Sequence, residues 1–172
     1  MGRGKENLII NGCTFLERIC TELDSFEEKY LSVNREQSVE IPDYIRVTDL
    51  YEDAGPLSGI YSALMRSNSE ALLAVACDMP FYGMSQARLL LESYEGDADL
   101  VVPVSGNRLQ MMAALYGKGC LPVMEEMLSR GQHRLRDLTD RVRVKRVRDE
   151  DERAYLNVNT PEAYEALLSE LR

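Results

Sequence analysis

The chain has 172 residues, enough for one domain that buries roughly 70% of the surface its unfolded form exposes, and its 45% hydrophobic and 28% charged residues are those of a folded globular protein. With 20 basic against 29 acidic residues the net charge is −9, which excludes nonspecific binding to nucleic acid or to an anionic membrane surface, because both need a positive field. A small polyanionic ligand fits that charge only where a divalent metal and well-placed cations offset the repulsion.

The opening, Met1-Gly2-Arg3-Gly4-Lys5-Glu6-Asn7, is charged and glycine-containing, with no apolar signal core. Apolar residues at helical spacing predict helices over 14–23, 56–65, 85–94, 121–128 and 161–171. The last has Thr160 as its N-cap and Pro161 in its first turn. Strands are predicted over 30–33, 44–47, 71–77, 100–104 and 142–147. The third is apolar throughout, as in a strand covered on both faces, and the last alternates, as in an edge strand. No uninterrupted apolar run approaches the roughly 20 residues that cross a bilayer, and a cytoplasmic protein is expected. Cys13, Cys20, Cys77 and Cys120 form no CxxC pair and stand in apolar runs, as reduced core thiols do.

Strand and helix alternate. The expected fold is therefore α/β: a three-layer, Rossmann-like arrangement of a mostly parallel sheet with helices on both faces, forming a single domain over 1–172 with ligands at the carboxyl ends of the strands. Such sheets ordinarily open with a buried apolar strand running into a glycine-rich turn, and no such strand stands ahead of Lys5.

The sharpest chemical signal is Ala74-Val75-Ala76-Cys77-Asp78-Met79-Pro80, an apolar strand ending in a carboxylate and stopped by proline. A hard oxygen at the tip of a buried strand suits Mg²⁺ on a nucleotide phosphate, and a turn aspartate satisfying backbone N–H groups is an equal reading of the pattern. Val47-Thr48-Asp49 repeats the theme, and Ala54-Gly55-Pro56-Leu57-Ser58-Gly59 follows. There glycines permit close approach of a ligand and Pro56 begins a helix, although a Gly-Pro turn is more often punctuation. Lys5 suits phosphate as a point charge, against the reading of a solvated tail. In Asn157-Val158-Asn159-Thr160-Pro161-Glu162, capping accounts for Thr160 and Glu162 and leaves Asn157 without a role. His133, the only histidine, has no triad partners near it; Met111, Met112, Met124 and Met127 read as core, and 141–148 as the solvent face of a strand.

In order, Met1-Gly2-Arg3-Gly4-Lys5, Gly55-Pro56-Leu57-Ser58-Gly59-Ile60, Cys77-Asp78-Met79-Pro80-Phe81, Ala114-Leu115-Tyr116 and Asn157-Val158-Asn159-Thr160-Pro161-Glu162 resemble the molybdenum cofactor guanylyltransferases, a family of α/β nucleotidyltransferases. The family's phosphate loop has the form Leu-Ala-Gly-Gly-x-Ser-x-Arg-Met-Gly-x-x-Lys, and Met1 aligns with its methionine. The resemblance thus implies a first strand and phosphate loop upstream of residue 1. It further implies Lys5 on the GTP phosphates, Asp49 near the nucleoside, and Asp78 on both Mg²⁺ and nucleotide, so that Lys5 and Asp78 carry catalysis. Gly55 and Pro56 fall on the nucleotide, and Asn34 or Ser32 takes the place of a family asparagine that touches it. Asn157 and Asn159 match the late asparagine motif, with Asn157 assigned to the metal and Asn159, with Arg108, to the pterin side. Met111 stands where the family commonly has proline.

The implied reaction is attack by the terminal phosphate of molybdenum-bearing molybdopterin on the α-phosphorus of Mg-GTP, expelling pyrophosphate. The implied cofactor is Mg²⁺; the implied partners are GTP, molybdopterin and molybdoenzyme maturation proteins, with no nucleic acid and no membrane. A cytidylyl- or sugar-nucleotidyltransferase and an inactive nucleotide-binding relative are the alternative readings.

Overall fold

The computed structural model describes residues 8–34 and 39–170. The chain enters as a small hairpin, β1 (Ile9–Ile10) against β2 (Cys13–Thr14). Asn11 and Gly12 turn it with φ of 51° and 85°, the pair of left-handed conformations that an Asn-Gly dipeptide adopts in a two-residue hairpin. Thr14 then caps α1 (Phe15–Glu22) in a reciprocal box: its hydroxyl accepts from the Glu17 N–H, and the Glu17 carboxylate accepts from the Thr14 N–H.

β3 (Tyr30–Val33) and β4 (Ile45–Thr48) pair in parallel and form a sheet of their own. After α2 (Pro56–Arg66) comes a five-stranded sheet. It contains β5 (Ala71–Val75), β6 (Leu100–Ser105), β7 (Arg108–Leu109), β8 (Ala113–Gly117) and β9 (Val144–Arg148). β8 lies between β5 and β6 and runs antiparallel to both, while β9 joins the other edge of β6 in parallel. β5, β6 and β9 therefore share one direction. Three of the five strands thus keep the common direction expected from the alternating elements, with β8 inserted against it and the short β7 also antiparallel to β6.

Helices cover both faces. β6 sends Leu100 and Val102 toward α2 and α4 (Leu121–Ser129), where they meet Leu57, Leu64, Met124 and Met127. Val101 points the other way, to Leu90 of α3 (Met84–Glu92). Tyr116 and Ala114 of β8 join the first layer, and Leu115 joins the second. This period-two division gives the three-layer α/β, nucleotidyltransferase-type arrangement. Among the described residues no helix is long and apolar enough to cross a membrane.

The final helix, α5 (Pro161–Glu170), returns to the start of the chain. The Tyr164 hydroxyl donates to the Ile9 carbonyl at 2.6 Å and accepts from the Ile9 N–H at 3.3 Å. Ile10, Phe15, Val158 and Leu167 close a separate small core there. Thr160 caps the helix as expected, accepting from the Ala163 N–H.

Three readings of the sequence need correction. β5 is apolar in every residue yet only half-buried along its length, because its second edge is covered by no other strand among the described residues. Cys13 is exposed in the hairpin and Cys77 half-buried, so only Cys20 and Cys120 are core thiols. Burial beside Asp99 pushes the Cys120 thiol up to about 12, which keeps it protonated and inert. The strand over 113–117 was not anticipated, since Ala and Gly are poor strand formers.

Candidate active site

The carboxyl ends of β4 and β5 and the amino end of α2 open onto one cavity of about 1320 Å³. Asn34, Asp49, Gly55, Pro56, Gly59 and Asp78 all line it. Five residues assigned to the nucleotide from sequence, Asn34, Asp49, Gly55, Pro56 and Asp78, are thus brought together from three separate segments of the chain.

Asp49 follows β4 and is held from both sides. Its N–H donates to the Val33 carbonyl, and its Oδ1 accepts from Ser32 Oγ at 2.9 Å. Burial raises its carboxyl above the ordinary range, and the Ser32 hydrogen bond only partly opposes this. The loop after Asp49 is tied to α2 by two buried serines. Ser62 Oγ accepts from the Leu50 N–H, and Ser58 Oγ accepts from the Tyr51 N–H. Ser58 falls within the Gly55–Ile60 motif and Ser62 outside it, and neither was assigned a role from sequence; their spacing of four, on the face that meets the loop, was the available signal.

Gly55 is the N-cap of α2 with φ 61°, a left-handed conformation that glycine adopts without strain, and Pro56 occupies the first helical turn. Pro56 has no N–H and the Ser58 N–H donates to the Gly55 carbonyl, so what this turn offers the cavity is the positive end of the helix dipole, which favours anionic or carbonyl groups on this wall. Gly59 sits one turn later, where an added Cβ falls inside contact distance of Ser32 Oγ and 3.4 Å from Asp49 Oδ1. Small size here keeps α2 close to the carboxylate.

Asp78 stands three residues beyond the end of β5, half-buried. Its carbonyl accepts from the Val158 N–H at 3.0 Å, which fixes the 157–159 segment against the tip of β5. Val158 is fully buried, while Asn157 and Asn159 on either side are exposed. The late asparagine motif is therefore adjacent to Asp78 although neither amide lines the cavity. The Ala76 N–H donates to the Met112 carbonyl, and Met112 reaches the cavity wall. Arg108 lies on β7, exposed and off the cavity. Arg88 of α3 does line it, a cation the sequence reading passed over because it sits in an ordinary amphipathic helix. Lys5 lies outside the described residues.

The oxygen donors here fit a divalent cation shared with a ligand. Among the described residues no group of three or more His, Cys, Asp or Glu side chains forms a cage. A lone aspartate at a strand tip, beside an asparagine segment, is the sparse donor set with which Mg²⁺ is commonly held, its remaining positions filled by phosphate oxygens and water.

Comparison with known proteins accords with this geometry. The model of the MobA-like NTP transferase domain matches residues 1–148. A probable molybdenum cofactor guanylyltransferase of Pelotomaculum thermopropionicum is 42% identical over 122 residues, 67% of this chain and 59% of that protein. One from Clostridium perfringens is 31% identical over 163 residues, 90% of this chain and 82% of that protein. The crystal structure of molybdopterin-guanine dinucleotide biosynthesis protein A from Archaeoglobus fulgidus superposes with a TM-score of 0.81 at 18% identity, covering 99% of this chain and 91% of that one. The chain belongs to the MobA-like NTP transferase domain family and is a nucleotidyltransferase.

Proposed function

We propose that the protein transfers GMP from Mg-GTP to molybdenum-bearing molybdopterin in the cytoplasm. The observation that carries the proposal is the convergence of Asp49, Asp78 and the amino end of α2 on one cavity, in a chain whose curated relatives include probable molybdenum cofactor guanylyltransferases. A terminal phosphate oxygen of the pterin attacks the α-phosphorus of GTP; the bond from that phosphorus to the bridging oxygen breaks, and pyrophosphate leaves with the electron pair. The nucleophile is already anionic, so the reaction needs positioning and charge neutralisation rather than a general base.

Asp78 would hold the divalent cation, with Asn157, on the segment bonded to the Asp78 carbonyl, assigned to it as well; the cation would supply positive charge against the phosphates. Lys5 adds a second cation on the phosphates. Asp49, Asn34, Gly55 and Pro56 receive the nucleoside, and Gly59 leaves it room. Arg108 and Asn159 are assigned to the pterin side, with the pterin approaching over the β7 end of the sheet.

Isothermal titration with Mg-GTP, Mg-CTP and Mg-ATP, paired with a pyrophosphate-release assay on molybdopterin, tests the reading. GTP is expected to bind selectively and to release pyrophosphate only with the acceptor present. Asp78→Ala is expected to lower kcat/KM by about 10²–10³, the usual cost of losing one preorganised electrostatic partner. Preference for CTP, or release with a sugar phosphate and not with molybdopterin, overturns the assignment.

A further inference from the structure

Charge is unevenly placed along the chain. Eight of the 20 basic residues fall within 130–148, beside only Asp137 and Asp140, so this stretch carries +6 and the rest of the chain, whose total is −9, carries −15. The stretch contains β9, an edge strand that pairs only with β6 among the described residues. The Arg143 carbonyl accepts from the Leu100 N–H, and the Asp149 N–H donates to the Val104 carbonyl. Odd-numbered residues of β9 thus direct their backbone groups to β6, and the N–H and C=O groups of Val144, Arg146 and Arg148 point outward.

The side chains divide by the same period. Val144 packs in the layer of α2 and α4 and Val147 in that of α3, so Arg146 and Arg148 share the Val144 side. Arg146 is exposed and makes no ion pair among the described residues. Arg148 pairs with Glu150, but the two side chains are 82% and 81% exposed, and such a surface pair is readily exchanged for another. Arg134 and Arg136, at the start of the short helix Leu135–Asp140 that leads into β9, are also exposed and without an ion pair among the described residues. A few cations suffice to keep an edge strand from pairing with its own kind. Here an outward row of backbone donors and acceptors and several free guanidinium groups are presented together.

We propose that β9 is a docking edge for a partner protein that supplies an extended segment with acidic side chains at alternate positions. The segment adds to the sheet as a further strand, its backbone bonding to Val144, Arg146 and Arg148. Its carboxylates meet Arg146 and Arg148 on one face, and the residues between them lie beside Val147 on the other, where apolar side chains fit. A second copy of this chain is a poor occupant, because β9 against β9 sets cation beside cation. The −15 carried by the rest of the chain repels a nucleic acid, and the outward carbonyls need N–H donors that phosphates lack. β9 and β5 lie on opposite sides of the β8-β6 pair, so docking there leaves the nucleotide cavity open and does not depend on which nucleotide it accepts.

The probes are two acetylated peptides of about six residues, a typical strand length, one alternating Glu with Val and the other Lys with Val. The Glu/Val peptide is expected to bind the 172-residue chain and to do so more weakly as salt is raised. It is expected to slow amide hydrogen exchange at Val144, Arg146 and Arg148 at least ~10-fold, with Lys145 and Val147 unchanged. The Lys/Val peptide is expected to bind at least ~10-fold more weakly. The double variant Arg146→Glu, Arg148→Glu alters exposed side chains only, so Tm is expected to hold while the preference between the peptides reverses. Equal affinity for the two peptides, a preference that the double variant leaves unchanged, or no slowing at the three amides overturns the proposal. So does slow exchange at those amides in a dimer of the chain alone, because a second copy is then the occupant. Tighter binding of oligothymidylate than of the Glu/Val peptide at the same amides also overturns it, in favour of a nucleic acid.

Discussion

Ser32 Oγ donates to Asp49 Oδ1 at 2.9 Å, linking the middle of β3 to the residue that closes β4. Gly59 backs onto both side chains, so the three positions act as one unit: carboxylate, orienting hydroxyl, and the space that keeps them in place.

Gly59→Ala forces Ser32 to turn away from Asp49, while gaining up to about 1 kcal/mol of helix propensity. Stability is therefore expected to change little, and nucleotide affinity to fall. In Ser32→Gly the obstruction is gone, and the alanine is expected to be accommodated. A double-mutant cycle on GTP affinity should show a coupling of roughly 0.5–3 kcal/mol; additive losses contradict the arrangement.

Asp49→Asn tests burial of the carboxylate. Because the folded-state pKa lies above the unfolded value, the favourable part of the ionisation linkage exists below the unfolded pKa and is lost as pH rises through the folded pKa. At neutral pH the ionised side chain thus costs stability. The variant is expected to melt above the wild type at pH 7, to lose that advantage near pH 4, and to bind nucleotide more weakly throughout. Thermal melts at the two pH values decide the point.

Glu28 behaves in the opposite sense. Hydrogen bonds from Asn68 and Ser67 hold its carboxyl below the usual carboxylate range. Its stabilising contribution is present above the unfolded pKa and disappears as pH falls through the lower folded one. Glu28→Gln is expected to lower Tm at pH 7, with the gap from wild type closing in acid. A gap that stays constant with pH shows that charge plays no part in pinning β3 to β5.

Thr14→Ala removes the N-cap of α1 and frees Glu17 from its reciprocal bond. The expected loss is about 1 kcal/mol, or roughly 2–4 °C in Tm for a domain of this size. Thr14→Ser should retain most of that stability, and differential scanning calorimetry on the pair measures it.

Most of the regular structure was legible in the sequence because its signals are local. Thr160-Pro161 starts a helix, Gly55-Pro56 starts another, and Asp78 closes an apolar run, each through the chemistry of adjacent residues. Asp49, Asp78 and Gly55 were identified for the same reason, and the fold brings them to one cavity. What escaped depends on distant partners. β8 is a strand because β5 and β6 flank it, not because Ala113-Ala114-Leu115-Tyr116-Gly117 favours extension. Arg88 reaches the cavity only through the packing of α3. The hairpin turn at Asn11-Gly12 is the exception, a local signal that stood in the sequence and went unused.

The bond between Tyr164 and Ile9 spans 155 residues, and its consequence lies in time rather than in space. During synthesis the hairpin and the inner face of α1 emerge well ahead of α5, so Ile10 and Phe15 find their full cover only when Val158 and Leu167 have been made. Apolar surface made early is therefore buried late, and it waits for α5 to leave the ribosome.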